Sequence, residues 1–463
     1  MKTIIEPFRI KVVEPIPFTN TKQRAELLKN SGYNLFQIDA QNVTIDMLTD
    51  SGTSALSSKQ WSALMLGDES YAGASSFHHF KSSVQNIFGF SEVLPVHQGR
   101  AAERILFSEL VKPGNIVPGN AHFDTTRANI ERLQAEAVDL PCRAWLESSD
   151  QDFLGNVDLE RLKNLIETSG PENIPLVILT ITSNTCAGQP VSMQNIAQTS
   201  QLLKTYGIPL YIDAARFAEN AYFIKLLEPG YSKRSILSIA NEIFSYADGA
   251  MMSCKKDGLA NIGGFIALND KELTERLKVN LIVSEGFPTY GGLTGRDLET
   301  IAVGLQEVVE DDYLNYRAAS ARFLWNGLNN LGVPLIQKPA LHAVYVDAAR
   351  MIPHIAPAYL PGQVLVCELF LEGGIRTCEI GTAMFGKTDK KNDTQICAQR
   401  ELVRLALPRR VYTQSHFEYV IEAFENIQKR VDKLSGLKIT KEAPALRHFT
   451  AVFEPTRLLI PSK

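Results

Sequence analysis

Short apolar runs alternate with longer amphipathic stretches along the first two thirds of the chain. Residues 175–182 and 208–213 have the pattern of buried strands, and residues 192–206 between them have the pattern of a helix. This order of strand, helix and strand predicts an α/β domain with a mainly parallel sheet. Ligands bind at the carboxyl ends of such strands, so Asn184 and Asp213, which lie at those ends, are expected to face a site.

The pattern changes in the last third of the chain. We predict a long helix over residues 298–324, followed by a smaller α/β unit with a strand at residues 341–347. The predicted segments are therefore an N-terminal arm with part of a small domain (1–46), a large ligand-binding domain (47–310), and a linking helix with a small C-terminal domain (311–463).

Composition restricts the class of protein. The chain has 463 residues, 45% of them hydrophobic, and a formal net charge of −4, so it lacks the basic surface that binds nucleic acid. Its six cysteines are scattered without paired spacing, as expected for reduced thiols in a cytoplasmic protein. No apolar run reaches about 18 residues, so we expect no membrane span.

A lysine pair and an upstream aspartate form the most informative motif. Lys255 and Lys256 follow Ser253 between two apolar segments, and Asp213 ends an apolar strand. A lysine held out of water has a lowered pKa suited to imine chemistry, and a carboxylate can pair with a protonated pyridine nitrogen. Pyridoxal phosphate (PLP) needs both groups. A solvated lysine pair and a helix-capping aspartate are the alternatives.

Residues 96–106 are a candidate phosphate site. Val96 to Arg100 lead directly into a predicted helix opening, where free N–H groups and the positive end of the helix dipole attract an anion. Gly99 allows close approach of the backbone, and Arg100 adds a fork of donors. An ordinary loop-to-helix junction with a surface arginine is the alternative.

Three further residues suggest ligand contacts. Arg404 lies in an apolar strand and needs an anionic partner, either a substrate carboxylate or a structural acid. Phe123 is a candidate for stacking on a cofactor ring or is an ordinary core residue. Arg216 is a candidate partner for a phenolic oxygen of the cofactor.

The chain resembles the β-eliminating lyases, whose members cleave L-tryptophan or L-tyrosine to the free ring compound, pyruvate and ammonia. The resemblance runs almost end to end. It includes residues 6–10, 48–53, 67–73, 219–225, 285–292 and 446–451. It implies the aspartate-aminotransferase type of PLP fold (fold type I), a potassium ion, and a homotetramer whose active sites are shared between subunits.

The resemblance also implies roles for individual residues. The implied cofactor-binding residues are Gln98, Gly99, Arg100, Phe123, Asp213, Arg216, Ser253, Lys255 and Lys256, with Lys256 as the Schiff-base lysine. The implied substrate-binding residues are Thr49, Ser51, Asn184, Phe287, Tyr290, Ile380, Arg404 and Phe449. Phe287 and Tyr290 are expected to come from the neighbouring subunit. Tyr71 is the expected proton donor across the interface. The potassium ligands map to the Gly52 and Asn261 carbonyls and the Glu69 carboxylate.

Three positions favour indole as the leaving group. Ile380 is apolar where the tyrosine-cleaving members carry an arginine, and Asp124 and His448 replace their threonine and phenylalanine. Asp124 offers an acceptor to an indole N–H, whereas an isoleucine cannot orient a phenolate. We therefore expect β-elimination of L-tryptophan. Elimination from L-tyrosine or another β-substituted alanine, a PLP aminotransferase and a non-catalytic PLP-binding protein are the alternatives.

One departure from the family concerns the backbone near Asn184. Ala187 stands where the family has glycine. If that glycine has a positive φ, the turn beside Asn184 must change to accommodate alanine.

Overall fold

The computed structural model describes residues 4–147, 150–336, 338–389, 391 and 394–456. The chain divides into two compact units. One unit is Ser51–Tyr316, and the other combines Met1–Asp50 with Arg317–Lys463. Within the described residues, no helix is both long and apolar enough to cross a membrane.

The helices of the described residues are, in chain order, α1 Thr21–Asn30, α2 Ser58–Leu66, α3 Ser75–Phe88, α4 Gly99–Leu110, α5 Asp124–Arg132, α6 Arg143–Leu146, α7 Leu159–Ser169, α8 Met193–Tyr206, α9 Phe217–Leu227, α10 Ile236–Ser245, α11 Lys271–Ser284, α12 Gly295–Glu307, α13 Asp311–Asn330, α14 Ala348–Met351, α15 Pro361–Gly373, α16 Thr382–Phe385 and α17 Gln414–Gln428.

The strands are β1 Ile45–Asp46, β2 Glu92–Val96, β3 Ile116–Gly119, β4 Glu136–Asp139, β5 Val177–Thr180, β6 Leu210–Asp213, β7 Gly249–Ser253, β8 Gly264–Leu268, β9 Ala343–Asp347, β10 Ile375–Arg376, β11 Cys378–Ile380, β12 Lys387–Asp389, β13 Thr394–Ile396, β14 Leu402–Ala406, β15 Leu437–Lys441 and β16 Val452–Pro455.

A seven-stranded sheet forms the centre of the unit Ser51–Tyr316, in the order β2-β8-β7-β6-β5-β3-β4. The neighbours from β7 through β4 are parallel, whereas β8 runs antiparallel to both β7 and β2. Every residue of β5 and β7 is buried, as expected for strands covered on both faces. The predicted α/β domain with a mainly parallel sheet is confirmed.

Local signals account for the bounds of α8, the helix that was predicted between two strands. The Ser192 hydroxyl accepts a hydrogen bond from the N–H of Asn195 at 3.0 Å, which caps the first turn. Gly207 ends the helix in the left-handed conformation at φ +68°, which glycine adopts without steric cost.

The predicted single helix over residues 298–324 is wrong. The structure has α12 up to Glu307 and a new helix, α13, from Asp311. Asp311 and Asp312 lie in the first turn of α13, where acidic side chains favour a helix start through the dipole. The apolar spacing alone did not reveal this break.

The other unit is built on the antiparallel sheet β11-β14-β9, with an apolar core that α15 and α17 also line. A fully buried ion pair joins Asp50 to Arg409, whose Nη1 lies 2.9 Å from the carboxylate Oδ2. The same Nη1 donates to the Asp50 carbonyl at 3.2 Å. The arginine therefore fixes both the backbone and the side chain of Asp50.

We expect Asp50→Asn to lower the free energy of unfolding by about 3 kcal/mol, because it leaves a buried guanidinium without its counter-charge. Urea unfolding of the apoprotein measures the change. Glu425→Gln is the control, since Glu425 pairs with Lys429 at 3.7 Å on the exposed face of α17. Its removal should cost less than about 0.5 kcal/mol. Equal losses in both variants would contradict a stabilising role for the buried pair.

Candidate functional site

A cavity of about 540 Å³ lies at the carboxyl ends of β6 and β7 in the unit Ser51–Tyr316. Apart from Arg216, the predicted cofactor residues all line it: Gln98, Gly99, Arg100, Phe123, Asp213, Ser253, Lys255 and Lys256. Ser51 also lines it. Arg216 is buried, and its Nη1 lies 3.5 Å from the Thr182 carbonyl oxygen.

The start of α4 forms an anion cradle in this cavity. Gln98 occupies the N-cap position, and the helix begins at Gly99. A Cβ on Gly99 would lie 2.8 Å from the Cβ of Ser253, so a side chain at this position would displace the end of β7. The N–H groups of a first helical turn have no partner within the helix and can bind a phosphate. The residues here therefore fit the phosphate of PLP.

Buried Asp257 holds the lysine segment. Its carboxylate accepts the N–H groups of Ala218 at 2.9 Å and Glu219 at 3.2 Å, in the first turn of α9. The carbonyl of Lys256 accepts the N–H of Leu259 at 2.9 Å. Both ends of the short turn after β7 are thereby fixed, which positions the Lys256 side chain at the cavity. The sequence reasoning assigned no role to Asp257.

Asp213 is the acidic group at the end of β6. Burial raises the pKa of its carboxyl, while the charges of Lys256 and Arg216 and the N–H of Ala215 oppose that rise. The Ala215 N–H lies 3.2 Å from Oδ1. A positive charge beside this buried carboxylate would stabilise its ionised form. The protonated pyridine nitrogen of PLP would supply such a charge.

The Lys255 side chain packs against Gly52. A Cβ on Gly52 would lie 2.5 Å from the Cε of Lys255, so the lysine side chain covers this glycine. The Gly52 N–H donates to the Lys255 carbonyl at 2.7 Å. Burial and the nearby charge of Arg100 lower the pKa of Lys255.

Gly52 and Asn261, two of the predicted potassium ligands, are adjacent. The Asn261 side-chain amide donates to the Gly52 carbonyl at 3.1 Å and to the Ser54 carbonyl at 3.1 Å. Glu69 forms an ion pair with Arg296 at 3.1 Å. The Gly52 carbonyl thus has a partner within the chain, and a potassium ion there would have to share this oxygen with Asn261.

Phe123 and Asp124 form the start of α5. Phe123 is at the N-cap position, and the Asp124 carboxylate accepts the N–H of Thr125 at 2.6 Å. Asp139 accepts the N–H of the preceding residue, His122, at 2.8 Å and lies 2.7 Å from its Nδ1. These contacts fix the backbone directly before Phe123.

Ala187 keeps the left-handed conformation that a glycine would favour. Its φ is +50°, directly after the turn Asn184–Cys186. The Gly188 N–H donates to the Ser183 carbonyl at 2.7 Å, so the turn around Asn184 closes in spite of the alanine. The strain in an alanine at this φ is about 1 kcal/mol. The alanine therefore adopts a strained left-handed conformation in this turn.

Tyr71, Phe287 and Tyr290 form an aromatic cluster. The Tyr71 ring centroid lies 5.6 Å from that of Phe287 and 5.3 Å from that of Tyr290. Tyr71 is 69% exposed, and its hydrogen bond with Tyr290 raises the pKa of its phenol. The residues expected to serve a neighbouring subunit therefore lie together.

Arg404 lies in the middle strand of the sheet β11-β14-β9 in the second unit. It is buried, and its Nη2 donates to the Leu48 carbonyl at 2.8 Å, next to Thr49. Among the described residues, its Nε has no hydrogen-bond partner. A buried guanidinium with an open donor fits an anionic ligand such as a carboxylate.

His448 and Phe449 lie in a short 3-10 turn and contact Phe36, with ring centroids 5.9 and 4.9 Å apart. His448 lines a cavity of about 240 Å³ together with Glu379. Burial and the charge of Glu401 raise the pKa of Glu379 to about 8. Ile380 is buried at the end of β11, opposite Leu402.

Comparison with known proteins identifies a family model and relatives that resemble this chain. A family model described as "Beta-eliminating lyase" matches residues 46–423. A tryptophanase from Hyphomonas neptunium is 52% identical over 98% of this chain and 100% of the relative. A tryptophanase from Salinibacter ruber is 53% identical over 98% and 96%. A tyrosine phenol-lyase from Pasteurella multocida is 44% identical over 97% and 98%.

Solved structures support the fold. A complex of SepCysS with the N-terminal domain of SepCysE has a TM-score of 0.56 at 16% identity, covering 84% of this chain and 96% of that chain. A serine palmitoyltransferase from Sphingomonas wittichii has a TM-score of 0.55 at 13% identity, covering 84% and 88%. The predicted fold type I architecture of PLP enzymes is confirmed.

Proposed function

This chain belongs to the β-eliminating lyase family, and we propose that it cleaves L-tryptophan to indole, pyruvate and ammonia. The observation that carries the proposal is the cavity in which Lys256 and Asp213 lie beside the anion cradle of α4. Tryptophanases that are 52% and 53% identical over nearly the whole chain support tryptophan as the substrate.

Each group in the cavity has a function in this reaction. PLP, when bound, supplies an electron sink for the negative charge that develops at the substrate Cα. Gln98, Gly99, Arg100 and Ser253 bind its phosphate. Asp213 would keep a proton on the pyridine nitrogen of the cofactor. Arg216 would face its phenolic oxygen. The Lys256 amine would hold the cofactor and, as a free base, would remove the proton from Cα.

The leaving group requires separate proton chemistry. Indole departs only after its C3 is protonated, and Tyr71 is the proposed donor of that proton. Asp124 accepts the indole N–H and favours the C3-protonated form, and His448 belongs to the same network. Phe287, Tyr290 and Phe449 surround the ring with apolar surface.

The substrate carboxylate needs a cationic partner. Arg404 is proposed to bind it in a bidentate pair, supported by its buried and open Nε. Thr49, Ser51 and Asn184 add hydrogen bonds to the same group. Fixing the carboxylate restricts the orientations that a bound substrate can adopt.

A potassium ion and a tetramer complete the proposal. The Gly52 and Asn261 carbonyls and the Glu69 carboxylate are the proposed potassium ligands, which are hard oxygen donors suited to that ion. The aromatic cluster of exposed Tyr71 with half-buried Phe287 and Tyr290 supports a homotetramer in which these residues contribute to a neighbouring subunit's site. The free thiols of the described structure support a cytoplasmic location.

Elimination from L-tyrosine is the second candidate. A tyrosine phenol-lyase 44% identical over 97% of the chain favours it. Buried Ile380 opposes it, because an isoleucine has no donor for a phenolate oxygen.

Product analysis tests the proposal. The purified protein with PLP and potassium is given L-tryptophan and L-tyrosine in parallel, and indole, phenol, pyruvate and ammonia are assayed. We expect indole and pyruvate from tryptophan with little phenol from tyrosine. Phenol as the main product would establish the second candidate, and ammonia release only after adding a keto acid would indicate an aminotransferase.

Asp124→Ala tests the proposed contact with indole. We expect kcat/KM for L-tryptophan to fall about 10²-fold, within the range for general acid–base assistance. Elimination from S-methyl-L-cysteine should fall less than about threefold, because a thiolate leaving group needs no C3 protonation. Coupled pyruvate assays with both substrates measure the ratio.

Glu131→Ala is the matched control for that experiment. Glu131 is an exposed acid near the other end of α5, where it pairs with Arg127 at 3.5 Å. Its loss should change neither rate. Equal losses with both substrates in Asp124→Ala would mean that the aspartate supports the fold rather than the indole.

A further inference from the structure

Glu103 is a second buried acid in the cofactor cavity. It lies on α4, one turn after the anion cradle, and lines the cavity together with Asp213 and Lys256. Acidic residues on a helix usually face solvent, yet this one is only 7% exposed. The reaction outlined above uses no acid at this position.

Glu103 joins α4 to the start of α5. Thr126 Oγ1 donates to its Oε1 at 2.7 Å, and Asn129 Nδ2 donates to its Oε2 at 3.0 Å. Asn129 Nδ2 also lies 3.5 Å from the Arg100 carbonyl oxygen. The carboxyl therefore connects the helix that binds the phosphate to the helix that begins directly after Phe123.

The charges around Glu103 come from the cavity. Burial raises its pKa to about 7, with a further contribution from the charge of Asp213, while the hydrogen bonds from Thr126, Asn129 and Thr125 act in the opposite direction. Arg100, Lys255 and Lys256 are the cations that line the same cavity.

The nearby cation of α5 is engaged elsewhere. Arg127 pairs with Asp139 at 2.6 Å and with Glu131 at 3.5 Å. Asp213, which lines the same cavity, is a charged group that does act on the pKa of Glu103.

We propose that Glu103 is a positioning residue with two effects on bound PLP: its hydrogen bonds hold Phe123 against the ring, and its charge strengthens the binding of protons at the cofactor nitrogens. This inference rests on the proposed function because it assumes PLP in the cavity. A negative charge beside Asp213 favours positive charge on the ring and on the Lys256 nitrogen. Ionisation of Glu103 would thus tune the cofactor between acidic and neutral pH.

Two substitutions separate the two effects. Glu103→Gln removes the charge and keeps the bonds, since its amide oxygen can accept from Asn129 and its NH₂ can donate to the Thr126 hydroxyl. Glu103→Leu removes both. Glu109→Gln is the control, because Glu109 is on the same helix and lies 3.5 Å from Arg276.

The measurements are the PLP dissociation constant of the apoprotein and a pH titration of the visible absorption of bound PLP, both without substrate. Glu103→Leu should weaken PLP binding about tenfold or more, as expected for lost buried hydrogen bonds. Glu103→Gln should bind PLP within about threefold of the wild type, and its spectral midpoint should shift about half a pH unit or more toward acid.

Unchanged affinity in Glu103→Leu, or a spectral midpoint in Glu103→Gln equal to that of the wild type and Glu109→Gln, would overturn the inference. Circular dichroism of the apoproteins identifies a variant that fails to fold, and Glu103→Gln then carries the test. Failure of the wild type to bind PLP would refute the proposed function itself, which this spectral experiment distinguishes from a failure of the Glu103 inference.

Discussion

Lys256→Ala should lose at least about 10⁴-fold in turnover of L-tryptophan and lose the visible absorption of PLP attached to a lysine. On the proposed assignment, the variant lacks both the amine that binds the cofactor covalently and the base that removes the Cα proton, and general-base catalysis alone contributes up to about 10⁴-fold. Absorption spectra and steady-state indole release measure the two losses. Retained turnover would refute the assignment of Lys256.

Lys255→Ala is the matched control for that loss. The Lys255 side chain packs against Gly52, and Lys255 lines the same cavity as Lys256. The variant should keep the visible absorption, although its affinity for PLP is expected to change with the altered charge near Arg100. Loss of the visible band in Lys255→Ala but not in Lys256→Ala would assign the Schiff base to the other lysine.

Arg404→Met should lower kcat/KM for L-tryptophan about 10³-fold. The proposed bidentate pair with the carboxylate contains two charge-assisted hydrogen bonds, each contributing about 2 kcal/mol. Methionine has a similar length and no charge, so it fills the buried position of Arg404 without leaving an unpaired ion. Steady-state kinetics with tryptophan measures the loss.

Substrate analogues and a second variant separate carboxylate binding from a structural role of Arg404. L-Tryptophanamide has no carboxylate, so wild type and Arg404→Met should process it at similarly low rates. Arg404→Lys should recover only part of the loss, because an ammonium lacks the planar fork of donors. An equal fall for tryptophan and its amide would instead mean that Arg404 supports the sheet β11-β14-β9.

Much of the fold could be predicted from the sequence because apolar runs and helix-capping residues are local features of the chain. The buried runs at residues 175–182 and 208–213 contain β5 and β6, and Ser192 and Gly207 define the ends of α8 between them. The prediction of one helix over residues 298–324 was wrong because the apolar spacing continues across the interval between α12 and α13. The break between Glu307 and Asp311 is visible only in the structure.

Site residues could be predicted from the sequence where a charged residue lies within or between apolar strands. Lys256 between apolar strands and Arg404 within one both require a partner, which makes them visible without coordinates. Asp257 and Glu103 gave no such signal, since an acid beside a lysine or on a helix is ordinarily solvated. Their burial and their hydrogen bonds arise from contacts between distant segments.

The sequence by itself determined the family, the mainly parallel α/β architecture and PLP as the predicted cofactor, because strand and helix periods and the order of reactive residues are properties of the chain. Tertiary structure alone decided which acids are buried and how the lysine turn is held. It also decided that Ala187 adopts a left-handed φ of +50°. These outcomes depend on packing between residues far apart in the chain, and packing sets the local dielectric, the partners of each donor and the strain that one residue must bear.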